Sequence, residues 1–237
     1  MVVPGDTMPT IMTTEPGLPL LRLMHLVSPS LPVGGFTYSQ GIEWAVEAGW
    51  IRTAADLDAW LDDQLHQGLA RLDLPLLLRM HAAATAQNPV AMDGWIDWLL
   101  AGRETAELRA EEGNRGRAMA ALLTAWGLVP DPTWVQVLTR SQAAGLAYAA
   151  CAWGIAPQDM ALGYAWGWLE NLTLAGIKLV PLGQTQGQQL LQRLVAEIPG
   201  ALRRAVDLAD ADIGSSSPAL AIASGLHETQ YTRLFRS

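Results

Sequence analysis

Apolar residues recur every three or four positions along most of this chain, and this spacing limits the possible folds more than any other feature. Alanine and leucine supply most of these residues, whereas the residues favoured in strands are sparse and do not alternate with polar ones. The pattern predicts an all-α protein, a compact bundle of about ten to eleven helices with short connections. The predicted helices cover about residues 18–28, 37–48, 54–70, 74–86, 90–101, 104–126, 132–152, 157–177, 184–197, 200–209 and 218–226.

Length and composition predict the domain organisation. A chain of 237 residues exceeds the usual length of one domain without requiring two, and 50% of it is hydrophobic while 16% is charged. Such a chain can bury a large core, so we expect one helical domain over residues 18–209. A disordered leader is predicted for residues 1–17. A linker, a short helix and a flexible C-terminal docking tail are predicted for residues 210–237.

Charge and cysteine content exclude several classes of function. The formal net charge is −8, and the clusters of Lys and Arg that bind nucleic acids or anionic lipids are missing. No uninterrupted apolar run reaches the roughly 18 residues of a membrane-spanning helix. Cys151 is the single cysteine, so no disulfide can form within the chain, and a reducing cytoplasm is the expected location. Neither nucleic acid nor a membrane is an expected partner.

The sequence lacks the common catalytic motifs. It contains no phosphate-binding G-x-x-x-x-G-K-S/T loop, no H-E-x-x-H metal motif and no G-x-S-x-G nucleophile turn. None of its 4 histidines has a histidine partner four residues away, so no preformed metal site is predicted. We expect a protein that is not an enzyme and has no metal or cofactor. Two alternatives stay open: a helical lyase or synthase with a Trp-lined pocket and a metal held by Asp62 and Asp63, and a purely structural scaffold.

Two of the predicted helices have unusual patterns. In the helix predicted for residues 104–126, Glu112 and Arg115 interrupt the apolar face. They lie three residues apart, so they can form an intrahelical pair on a solvated edge, or a buried or interfacial pair. The helix predicted for residues 157–177 is apolar on nearly every side, which is typical of a helix at the centre of the core or of one covered by a second chain.

The C-terminal tail, residues 227–237, has the sequence HETQYTRLFRS and mixes charged residues with aromatic and aliphatic ones. A tail that only increased solubility would gain nothing from exposing Tyr231, Leu234 and Phe235. The tail is therefore predicted to dock on another surface. Lys178 is the only lysine in a chain whose other basic positions are arginine, and this favours a specific role for it.

Four segments, in this order, resemble the UreF family of urease accessory proteins. Residues 28–43 are SPSLPVGGFTYSQGIE, residues 103–111 are RETAELRAE, residues 177–184 are IKLVPLGQ, and the fourth segment is the tail. The resemblance implies an all-α homodimer without enzymatic activity that binds the accessory protein UreD, called UreH in some bacteria. It also implies that this complex recruits the GTPase UreG and supports nickel delivery to the urease apoprotein.

The resemblance implies which residues meet each partner. Lys178 and Pro181 are expected on the side that faces UreG. Tyr231 and Arg233 match residues that lock the tail beside the Gly-Gly-Phe turn once UreD binds. The residues expected on the UreD or UreH side are Phe36, Tyr38, Glu43, His227, Glu228, Tyr231, Arg233, Leu234 and Phe235.

Three positions depart from the family pattern. Phe36 replaces a tyrosine that is found in some members, which removes a hydroxyl group. Leu162 and Trp166 stand where certain relatives have polar dimer contacts. The dimer interface of this chain is therefore expected to be more apolar or differently placed.

Overall fold

The computed structural model describes residues 15–129, 131–215 and 217–237. Every regular element in these ranges is helical, which confirms the predicted all-α class. Most of the leader predicted for residues 1–17 lies outside the described residues. The α-helices are α1 (Leu18–Val27), α2 (Ile42–Glu47), α3 (Ala54–Asp63), α4 (Leu74–Thr85), α5 (Pro89–Ala101), α6 (Ala106–Ala125), α7 (Pro132–Leu138), α8 (Gln142–Ala152), α9 (Pro157–Leu179), α10 (Gln184–Val195), α11 (Ile198–Asp207) and α12 (Pro218–His227).

The helix predicted for residues 37–48 is reduced in the structure to the short α2. Gly35–Thr37 form a single 3-10 turn, and Gly41, just before α2, adopts the left-handed region with φ of 81°. A Cβ atom at position 41 would lie 3.1 Å from the backbone nitrogen of Ser224 on α12. Glycine therefore permits both the backbone turn and the close packing of α12.

The helix predicted for residues 132–152 is two helices, α7 and α8. The chain turns at Ser141, whose hydroxyl accepts the Ala144 N–H at 3.2 Å and caps α8. Helix α6 crosses this turn at Gly116, where a Cβ atom would lie 2.6 Å from the backbone nitrogen of Ser141. The break is therefore stabilised by packing between elements that are distant in sequence.

The helices predicted separately for residues 54–70 and 74–86 form one continuous helical run. Its middle part, Gln64–Asp73, has the wide turns of a π-helix between α3 and α4. The Gly214 N–H donates to the Arg71 carbonyl oxygen at 3.0 Å. This bond fixes the residues that precede α12 to the helical run.

Helix α9 lies at the centre of the bundle, where it packs against α1, α2, α3, α4, α8, α10 and α11. Of the two alternatives for this apolar helix, the structure therefore shows the central position. Its buried residues include Leu169 and Leu172. Helix α8 packs against α4 and α6 as well as against α9. Within the described residues, none of the helices combines the length and the apolar character that crossing a membrane requires.

Candidate partner-binding site

The C-terminal tail folds back onto its own chain and lies against the turn that precedes α2. The Arg236 N–H donates to the Thr37 carbonyl oxygen at 2.8 Å. The Ser39 backbone N–H and hydroxyl donate to the Ser237 carbonyl oxygen at 2.7 and 2.6 Å. These last bonds join residues 198 positions apart, so they attach the end of the tail to the turn that precedes α2.

Glu43, in the first turn of α2, is the buried acceptor for the tail backbone. Its carboxylate accepts the N–H groups of Leu234 at 2.6 Å and Phe235 at 2.8 Å. Amides in an irregular segment have no helical carbonyl to bond, and a buried amide without a partner is costly. A carboxylate is a stronger acceptor than a neutral oxygen, so Glu43 can hold both amides.

His227 ends α12 and is fully buried. Its Nδ1 lies 2.6 Å from a carboxylate oxygen of Glu107, and its Nε2 lies 3.2 Å from an oxygen of Glu43. Arg233 donates to the other oxygen of Glu107 at 2.6 Å. We call Glu43, Glu107, His227 and Arg233 the tail clasp, because together they join α2, α6, α12 and the tail.

Glu228 fixes the beginning of the tail to the first turn of α6. Its Oε1 accepts the Ala106 N–H at 2.8 Å. A carboxylate is favourable at this place because the first N–H groups of a helix lack partners and carry a partial positive charge.

Lys178 lies exposed in the last turn of α9, and it contacts the tail. Its Nζ is 5.8 Å from the ring centroid of Phe235, which is a suitable distance for a cation–π interaction. Phe235 itself is buried. Lys178 and the tail therefore belong to one continuous surface, and the exposed Pro181 follows shortly after α9.

The tail and the neighbouring turn also expose apolar side chains. Tyr231 is fully exposed, Leu234 is 67% exposed, and Phe36 of the 3-10 turn is 61% exposed. We call these three residues the docking face. Tyr38, by contrast, is buried, and its hydroxyl accepts the side-chain amide of Asn114 at 3.4 Å.

A buried ionic network lies at the start of α6. Arg103 donates to both carboxylate oxygens of Asp73, and its guanidinium lies 3.4 Å from an oxygen of Glu112. The Ser141 hydroxyl donates to Glu112 at 2.7 Å. Burial disfavours the ionised form of Glu112, but the charge of Arg103 and the bond from Ser141 outweigh burial and lower the pKa of Glu112 below its usual range.

The partner of Glu112 is therefore Arg103 and not Arg115, so the intrahelical alternative is wrong. Arg115 pairs instead with Glu111 at 2.8 Å, one turn away on α6. The other oxygen of Glu111 accepts the Ser237 hydroxyl at 3.2 Å. Glu111 thus links the end of the tail to the charged residues of α6.

Comparison with known proteins identifies the family. A family model described as UreF matches residues 51–195. The chain is 52% identical over 220 residues to the urease accessory protein UreF of Pseudomonas entomophila, covering 93% of this chain and 98% of that relative. This chain belongs to the UreF family. The corresponding proteins of Alcanivorax borkumensis and Klebsiella pneumoniae are 49% and 48% identical over 222 and 217 residues, covering 91% and 92% of this chain and 97% of each relative.

Membership of the UreF family confirms the resemblance that the four segments carry. The structure brings Glu43, His227, Glu228 and the rest of the tail together with Lys178. Sequence reasoning missed Ser39 and Glu107, which hold the tail from the turn and from α6. Ser39 lies in the resembling segment 28–43 and Glu107 in the resembling segment 103–111. The resemblance to the UreF family could therefore have singled out both residues.

The acidic pair of the enzyme alternative is occupied by protein partners. Asp62 accepts from Arg193 at 3.1 Å, and Asp63 accepts from the Ser217 hydroxyl at 3.1 Å. Within the part of the chain that the structure describes, no group of three His, Cys, Asp or Glu side chains could hold a metal ion. Among the described residues, a single tryptophan, Trp168, lines the cleft that α1, α6, α8 and α9 form.

Proposed function

We propose that this UreF-family chain is a non-enzymatic adaptor in urease maturation. Its docking face and tail bind UreD, or UreH, and the continuous surface that includes Lys178 recruits the GTPase UreG. The assembly supports the transfer of nickel, as cargo, into the urease apoprotein. The adaptor requires no cofactor of its own and acts in the cytoplasm.

The observation that carries this proposal is the docking face. Buried charged groups fix the tail backbone, yet Tyr231 and Leu234 on the same segment remain exposed. Exposed apolar side chains that are held in place, rather than free to collapse, are typical of a surface that another protein covers. Tyrosine is also among the residues that most often dominate the binding energy of interfaces.

The proposed adaptor acts as a homodimer. Leu20, Leu21 and Met24 form an exposed apolar stripe on α1. Helix α1 packs on α9, the helix that carries Leu162 and Trp166. An apolar stripe of this kind supports an apolar contact between two copies of the chain.

Replacing Tyr231 and Leu234 together by alanine is expected to weaken binding to UreD about 30-fold or more, because truncating the central aromatic residue of an interface typically costs about 2 kcal/mol or more. Both side chains are exposed, so the fold and the docking of the tail should not change. The measurement is co-purification with UreD, followed by the nickel content of urease matured with the variant.

The matched control is Val90→Ala, which removes an apolar side chain that is 81% exposed on α5. It should bind UreD like the parent chain. Equal binding by the control and by the Tyr231/Leu234 variant would contradict the proposed docking face. Urease that acquires its nickel equally well with or without this chain would favour the purely structural scaffold.

Lys178→Ala is expected to leave folding and UreD binding intact and to reduce UreG recruitment about tenfold, because the ammonium group is exposed and a charged interface contact is worth about 1–2 kcal/mol. Lys178→Arg retains the positive charge and the cation–π contact, and it should recruit UreG nearly normally. UreG binding is measured on the preformed complex with UreD. Unchanged recruitment by the alanine variant would remove Lys178 from the proposed surface.

A further inference from the structure

The cleft that α1, α6, α8 and α9 form reaches the docking face. Its volume is about 90 Å³, and Gly35 and Phe36 of the 3-10 turn line it together with Trp168. A cavity of this size can take several water molecules or the end of a long side chain. Because the exposed Phe36 is also part of the docking face, a protein bound there would cover the mouth of the cleft.

The charges that line the cleft do not balance. When all of them are ionised, two guanidinium groups and four carboxylates give an excess of negative charge: Arg103, Arg115, Asp73, Glu111, Glu112 and Glu170. The two arginines hold three of the carboxylates in ion pairs. Glu170 is the fourth, and it forms no ion pair or hydrogen bond with the other described residues.

Glu170 is partly buried on α9 without a compensating partner. Burial raises the pKa of its carboxyl, and no cation or hydrogen-bond donor of the described chain opposes this effect. A cation beside the carboxylate would lower this pKa again and stabilise the ionised form. The chain therefore contains an acidic group whose environment would improve when a positive charge binds.

The end of α1 supplies a second acceptor to the cleft. Gly163 and Gly167 lie seven and three residues before Glu170, so all three share one face of α9. A Cβ atom at position 167 would lie 3.4 Å from the carbonyl oxygen of Val27, the last residue of α1. Carbonyl groups at the end of a helix lack helical partners and carry a partial negative charge. This oxygen accepts no hydrogen bond from the described residues, so the cleft offers two acceptors without a donor.

We propose that the cleft receives one basic side chain of UreD, a lysine or an arginine, which enters beside Phe36 and pairs with Glu170. An ammonium group has three N–H donors and a guanidinium group has five, so either can serve more than one acceptor. A metal ion would find a single free carboxylate here, since the arginines occupy the other three. This inference rests on the adaptor function proposed above and adds the chemistry by which the chain selects its partner.

Glu170→Gln is expected to weaken binding of UreD about tenfold, chiefly through faster dissociation, because it keeps the size of the side chain and removes its charge. The free energy of unfolding should not fall, since Glu170 has no partner in the free chain. Asp159→Asn is the matched control, because it removes one charge from an exposed position in the first turn of the same helix. UreD should bind the control like the parent chain. Affinity and dissociation rate are measured with the full chain and purified UreD.

A double-mutant cycle identifies the charge that enters the cleft. Each lysine and arginine of UreD is replaced in turn by methionine, and the effect on binding is compared between the parent chain and the Glu170→Gln variant. One replacement should weaken binding to the parent chain about tenfold and leave binding to the variant unchanged. Additive effects at every basic position of UreD would overturn the proposal, because Glu170 would then pair with none of them.

The outcomes separate this inference from the proposed function. Loss of UreD binding in the Tyr231/Leu234 variant but not in Glu170→Gln would support the docking face and contradict the role of the cleft. A Glu170→Gln variant that changes self-association and leaves UreD binding intact would assign the cleft to a second copy of the chain, which also contradicts the proposal. If the parent chain did not bind UreD at all, the adaptor function and this inference would both fail.

Discussion

Replacing Arg103 by methionine is expected to destabilise the protein by about 3–5 kcal/mol, because removing one member of a buried ion pair leaves an uncompensated charge. Here two carboxylates lose their partner, and Asp73 and Glu112 are only 5% and 6% exposed. The free energy of unfolding is measured by urea denaturation at pH 7. Near pH 4 the loss should be smaller, because Arg103 helps to hold the pKa of the buried Glu112 carboxyl below its usual range, and without Arg103 this carboxyl takes up a proton more readily.

Arg117→Met is the matched control, since Arg117 lies exposed on α6 and, among the described side chains, its guanidinium hydrogen-bonds only to Asn114. An exposed substitution of this kind should change the free energy of unfolding by no more than about 0.5 kcal/mol. If the Arg103 variant were equally mild, the network would not be held together by charge, and its acidic members would have found other partners.

Glu43→Ala is expected to release the tail and to abolish stable binding of UreD as completely as deletion of residues 228–237. The substitution removes the acceptor of two tail amides and one of the two carboxylates that face His227. Each buried donor left without a partner costs about 1–3 kcal/mol, so the loss of two acceptor bonds should weaken the docking of the tail by about 2–6 kcal/mol. Co-purification with UreD and protease sensitivity at Arg233 and Arg236 measure the two effects.

Glu47→Ala provides the comparison on the same helix. Glu47 is exposed and accepts a single bond from the tail, from the side chain of Gln230. Its loss should leave the docking of the tail and the binding of UreD close to those of the parent chain. A Glu43 variant that still binds UreD normally, when the deletion does not, would show that the tail can reach UreD without being held on α2.

The all-α class could be predicted because apolar spacing is a local property of the sequence. The break inside residues 132–152 was missed, although the polar residues 139–142 interrupt the apolar spacing there and Ser141 can cap a helix. The structure places that break where Gly116 of α6 meets Ser141, a contact between residues far apart in the chain. Periodicity indicates that a segment is helical, but it does not show where another helix will cross it.

The candidate site, too, could be predicted only in part, because some of its contacts join residues that are far apart in the sequence. The composition of the tail predicts that it docks, and the UreF resemblance placed Glu43 beside it. The role of Glu107 depends on how α6 and α12 meet, which no local pattern records. Glu112 was given Arg115 as a possible partner because of its spacing on the helix, whereas the loop before α6 brings Arg103 closer. Tyr38 lies in a matching segment, yet packing beneath the turn buries it.

The bond between Gly214 and Arg71 keeps the residues before α12 attached to the helical run even when the tail is released, as expected for the Glu43 variant. Residues 228–237 then form a tether of about ten residues, which can extend about 35 Å from the end of α12. Over so short a tether, the released tail meets its docking site on the turn before α2, α2 and α6 at an effective concentration in the millimolar range. A free peptide of the same sequence would need a comparable concentration to displace the tail, so unrelated segments in solution are excluded from this docking site. A partner gains lasting access only by holding the tail away from it.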